Sequence, residues 1–111
     1  MDILIICHEK DASSILEDAK TCFAREFPDR ETEWKTANTS ISTSLPITEE
    51  EVTGVFQDLV NRYPRLCVTA SCSREIREDD RSAQWWVTTR IYSETENGET
   101  RIVSSSNTYW N

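Results

Sequence analysis

A chain of 111 residues has the length of one domain and can bury a modest core without disulfides or metal. Four Trp, three Tyr and three Phe, with only two Gly and three Pro, exclude a disordered or low-complexity chain. Twenty acidic residues against twelve basic ones give a net charge of -8, which opposes binding to a phosphate backbone.

Residues 2–7 open the chain with a continuous apolar run, Ile3-Leu4-Ile5-Ile6-Cys7, of strand length. Such a run predicts a central strand buried on both faces. It is far too short to span a bilayer and lacks the basic start of a secretory signal, so a cytoplasmic location and reduced cysteines are expected. Next, Ile15, Leu16, Ala19, Cys22, Phe23 and Phe27 recur at helical spacing. Ser14 with Glu17 has the form of a capping box, Asp11 and Ser13 compete as caps, and Pro28 ends the helix. Residues 33–45, rich in Thr and Ser, predict one exposed or edge strand with Ala37, Ile41 and Leu45 on its apolar face. Thr48-Glu49-Glu50-Glu51 is a second capping box. It starts a helix whose apolar face is Val52, Val55, Phe56, Leu59, Val60 and Tyr63, closed by Pro64.

Beyond Pro64 the period becomes two. Leu66, Val68, Ala70 and Cys72 alternate with Cys67, Thr69, Ser71 and Ser73. A charged loop over residues 74–82 precedes a strand in which Trp85, Val87, Thr89 and Ile91 alternate with Trp86, Thr88, Arg90 and Tyr92. Asn97-Gly98 marks a hairpin into a last strand running from Glu99 towards Trp110. The order βαβαβββ therefore predicts one α+β domain over residues 1–111. Its two helices cover one face of a mixed or antiparallel sheet of about five strands, a ferredoxin-like variant. The other sheet face would carry Thr, Ser, Arg and aromatic side chains.

The chemistry-bearing residues are sparse. Cys7-His8 is the one adjacent thiol and imidazole, and a cysteine-dependent enzyme would use Cys7. Neighbours in a strand point to opposite faces, however, so a buried Cys7 beside a solvent-facing His8 is the plainer reading. Cys67 and Cys72 are an odd number apart, with one His in the chain, so no metal or other cofactor is expected. No glycine-rich phosphate loop or nucleophile elbow occurs, and the expectation is a protein without catalytic activity.

What remains is surface. Glu49, Glu50, Glu51, Glu78, Asp79 and Asp80 are the acidic candidates for a partner site, and Trp86, Tyr92 and Trp110 are the aromatic ones. The acidity serves solubility, or it imitates a nucleic-acid backbone and occupies a protein that binds one. An aromatic sheet face that makes a homodimer is the third reading.

The stretch Phe56-Gln57-Asp58-Leu59-Val60-Asn61-Arg62-Tyr63-Pro64, the strand after it and the Trp-bearing strand before Asn97-Gly98 resemble small ferredoxin-like domains of phage and plasmid reading frames. The likeness covers the second half of the chain. It implies a mobile-element origin and, by analogy, an inhibitor of a host defence nuclease or other nucleic-acid-binding protein. No catalytic residues come with it.

Overall fold

The computed structural model describes the backbone of residues 1–77 and 84–110 and the side chains of residues 1–75 and 86–108. Six strands and two helices follow in the order β1 (Asp2–Ile6), α1 (Ala12–Glu26), β2 (Lys35–Thr36), β3 (Ser40–Ser44), α2 (Glu49–Arg62), β4 (Cys67–Arg77), β5 (Gln84–Glu96) and β6 (Glu99–Trp110). The sheet order is β2-β3-β1-β4-β5-β6, and every neighbouring pair is antiparallel. Its first four strands with the two helices form a ferredoxin-like βαββαβ arrangement, and β5 and β6 extend the sheet beyond β4.

This corrects the expected five strands, the βαβαβββ order and the mixed alternative. The extra strand comes from residues 33–45, which fold as two strands instead of one. Asn38 and Thr39 bend the chain there, and the Ala37 amide donates to the Ser40 carbonyl at 2.8 Å to close the turn. Asn is a turn former without needing a glycine beside it. The apolar side of β3 is consequently Ile41, with Thr43 and Leu45 at the same two-residue period, while Ala37 is exposed.

β1 is central, between β3 and β4, but it is not buried on both faces. Ile3, Ile5 and Cys7 are buried, whereas Leu4 is 39% exposed and Asp2 is exposed. Among the described residues, only one face of the sheet is covered. Beneath α1 and α2 the core joins Ile3, Ile5, Ile41, Val68, Ala70 and Ile91 of the sheet to Phe23, Phe56, Leu59 and their helical neighbours. The rings of Phe23 and Phe56 meet edge-on with centroids 6.3 Å apart, and Trp34 meets Phe23 at 5.4 Å.

The expected apolar stripe of α1 is buried from Ile15 to Phe23, but its cap differs. Asp11 holds the N-cap position without a side-chain hydrogen bond, and the Ser14–Glu17 box does not form because both residues lie inside the helix. In α2 the box forms in full. Thr48 Oγ1 accepts from the Glu51 amide and Glu51 Oε1 accepts from the Thr48 amide, each at 3.1 Å. The Asn97-Gly98 hairpin has both residues at positive φ, 53° and 80°.

β4, β5 and β6 outrun the rest of the sheet. β1 pairs with β4 only as far as Asp2 and Ser71, while β4 continues along β5 to Arg77 and Gln84. The molecule is accordingly elongated, 53 × 36 × 23 Å.

Candidate functional site

Antiparallel register sets the uncovered face of the sheet in rows. One row runs Ser42, Leu4, Thr69, Tyr92, Val103, and the next runs Ser44, Asp2, Ser71, Arg90, Ser105. Ile6 extends the apolar patch beside Ser40 and Cys67. Towards the far end Ser73 pairs with Thr88, their hydroxyls 3.0 Å apart, and Glu75 pairs with Trp86. The period of two puts these residues on the face away from the helices, since their sequence neighbours Ile3, Ile5, Val68, Ala70 and Ile91 fill the core.

The centre of the surface is apolar and hydroxylic and its borders are charged. Its two central rows hold Asp2 and Arg90, with Lys35 beside Ser42 at the β2 end, and further positions of the same face hold Glu75, Glu94 and Arg101. Leu4 is the exposed large hydrophobic side chain among the described residues, and Ile6, Tyr92 and Val103 are half-buried. Two shallow depressions mark the face. One of about 280 Å³ lies among Cys67, Thr69, Arg90, Tyr92 and Ser105, and one of about 380 Å³ lies among Asp2, Leu4, Lys35, Ser42 and Ser44. Neither is a deep apolar cavity of the kind that encloses a small molecule.

Trp86 and Tyr92 lie on this same face, six residues or about 20 Å apart along β5. The indole Nε1 of Trp86 is buried and has no hydrogen-bond partner among the described residues.

The acidic candidates are placed elsewhere. Glu49 and Glu50 are exposed in the first turn of α2, in the layer behind the sheet. Glu51 is engaged already: besides the cap, Arg30 donates to its two oxygens, both at 3.1 Å. That guanidinium, with the Thr48 amide, holds the Glu51 carboxyl below its ordinary pKa. The structure thus separates the aromatic and the α2 carboxylate candidates onto two sides of the molecule. Glu78, Asp79 and Asp80 lie outside the described residues, as does the side chain of Trp110.

Cys7 is buried at 2% exposure in the core, and His8 is exposed. Cys67 is exposed on the open face, and no disulfide joins any of the four cysteines. No three His, Cys, Asp or Glu side chains converge to hold a metal among the described residues. No described helix is long and apolar enough to cross a membrane.

A polar tie between the helices was not legible in the sequence. Arg62 of α2 reaches Asp18 of α1 at 3.0 Å and donates to the Cys22 sulfur, while the Tyr63 hydroxyl donates to Asp18. The Asp18 carboxylate raises the Tyr63 phenol pKa, because the neutral hydroxyl donates to it. No spacing signals such a tie, since its members are some forty residues apart. Leu4 and Ile6 were missed as surface residues for a different reason. An unbroken apolar run reads as doubly buried, and the lack of a second helical layer shows only in three dimensions.

No family model matches this chain, and no curated protein matches it.

Proposed function

We propose that the protein is a non-catalytic binding module whose contact surface for a protein partner is the uncovered face of the sheet. The observation that carries this reading is the row Leu4, Thr69, Tyr92, Val103 with its flanking Ile6 and Arg90. Its centre is apolar and hydroxylic, bordered by Lys35, Glu94 and Arg101, in a protein of net charge -8. Interfaces favour such a composition, with aromatic and Arg anchors inside a polar rim. Glu49, Glu50 and, in the sequence, Glu78, Asp79 and Asp80 supply a field that steers a basic partner inward without forming the contact itself.

Taken with the resemblance to phage and plasmid ferredoxin-like domains, the partner class is a nucleic-acid-binding protein such as a host defence nuclease, and the setting is the cytoplasm. Four unpaired cysteines fit a reducing compartment. The burial of Cys7 speaks against a cysteine-dependent reaction at that residue.

The test is capture from host lysate with the wild type, Tyr92→Ala, Leu4→Asp and Glu49→Lys/Glu50→Lys in parallel. A partner retained by the wild type and lost with Tyr92→Ala and Leu4→Asp supports the sheet face. The Glu49→Lys/Glu50→Lys variant should bind more slowly and with less salt dependence. Equal retention by all variants would overturn the assignment.

A further inference from the structure

The sheet has two edges of very different kind. At one end β2 is two residues long and carries Lys35, with exposed Glu33 close by, so little backbone is offered there. At the other end β6 pairs with β5 along all twelve of its residues, from Glu99 to Trp110, and no described strand lies on its outer side. After Glu99 and Arg101 the strand reads Ile102-Val103-Ser104-Ser105-Ser106-Asn107-Thr108-Tyr109-Trp110, without a charge, a proline or a glycine. Long edges normally carry Lys, Pro or a bulge, because a row of unmet N–H and C=O groups is a template for another strand.

We infer that β6 is a self-pairing edge: two copies of this chain join their β6 strands antiparallel about a two-fold axis at Ser106, making one continuous twelve-stranded sheet. The occupant is argued from charge and register. A second β6 offers an uncharged strand of the required length, so neither copy sets a charge against a like charge, although each molecule carries a net -8. Centred on Ser106, the register sets Ile102 opposite Trp110, Val103 opposite Tyr109, Ser104 opposite Thr108 and Ser105 opposite Asn107. Two of these four combinations join an aliphatic residue to an aromatic one, a cross-strand type that sheets favour. Residues brought opposite each other share a face, so both helical layers stay on one side and the two uncovered faces merge into one surface. A contact of this kind is isologous and closes at two copies. The pairing uses the strand edge alone and does not depend on what the sheet face binds.

Solution mass against concentration tests the pairing. The wild type should move from 12.8 kDa towards twice that value as its concentration rises. Ser104→Lys/Thr108→Lys changes two exposed residues and sets lysines opposite each other. It should remain at the monomer mass with an unchanged circular dichroism spectrum. Disulfide trapping reads the register. In a Cys67→Ser background with a mild thiol oxidant, Ser106→Cys should give a covalent dimer. Ser104→Cys should not, because its two copies stand about 13 Å apart along the strands, beyond the reach of a disulfide. A wild type that stays monomeric at every concentration overturns the inference, as does dimerisation that survives the double lysine change. Equal trapping at 104 and 106 overturns the register. Loss of partner capture by Tyr92→Ala with the dimer intact would bear on the sheet face alone.

Discussion

Glu51 meets three groups at once: the Thr48 amide, which it caps, and two nitrogens of Arg30. One carboxylate therefore starts α2 and ties it to the loop after α1, and the ionised form is the one being held. Its folded pKa lies below the unfolded value, so the stabilisation is fully present above about pH 4.3, the ordinary glutamate range, and fades as pH falls through the lower folded pKa. Glu51→Gln should lower the urea midpoint at neutral pH, with the gap to wild type closing in acid. A gap that stays constant down to acid pH would assign the effect to packing instead. The capping role was legible from Thr48-Glu49-Glu50-Glu51, because a box needs only local spacing. The Arg30 partner was not, because a loop brings it across twenty-one residues.

Among the elements, the two glycines make opposite predictions. Gly54 lies on the exposed side of α2, and a Cβ there meets nothing within 4 Å. Gly54→Ala should raise stability by about 0.5–1 kcal/mol in urea melts, by restricting the unfolded chain and favouring the helix. Gly98 has φ +80°, a left-handed conformation that side chains disfavour. Gly98→Ala should lose about 1–2 kcal/mol, although a Cβ there also meets nothing. Space is equal at the two sites and backbone angle decides the sign. Both helices, the place of β1 as a strand, the starts of β4 and β5 and the hairpin were readable at this scale, since their periods and turn residues are local; the loop expected from residue 74 was not borne out, because Arg74–Arg77 continue β4 by pairing with β5. The split of residues 33–45 was not, because Asn38-Thr39 is a weak signal and β2 exists only by pairing with β3.

The whole molecule is held by one layer of contacts between helices and sheet. Phe23 sits at its centre, 2% exposed, against Phe27, Trp34 and Phe56. Phe23→Ala should remove about 3–5 kcal/mol, a large part of the roughly 5–15 kcal/mol that holds an ordinary domain. Thermal unfolding monitored by Trp fluorescence checks it; a loss below about 1 kcal/mol would mean that the aromatic cluster refills the space. At the same scale lies the division of surfaces. Covering one sheet face with α1 and α2 leaves Leu4, Tyr92 and Arg90 outside, and puts Glu49 and Glu50 in the opposite layer. Tyr92 and Glu49 with Glu50 thus lie on two surfaces, and the capture experiment should separate their effects.

Composition, hydrophobic period and turn chemistry determined by themselves the α+β class, both helices with their buried stripes, the alternation of β4 and β5, and the pairing of Trp86 with Tyr92 on one face. These are properties of residues within a few positions of one another, and backbone geometry fixes their directions. Tertiary structure decided the sixth strand and the order β2-β3-β1-β4-β5-β6. It also decided the one-sided cover that turns Leu4 and Ile6 outward, the tie of Asp18 to Arg62 and Tyr63, and the place of β6 at the edge of the described sheet. Each of these depends on which distant segment lies alongside. An apolar run carries the same pattern whether one helical layer or two will cover it.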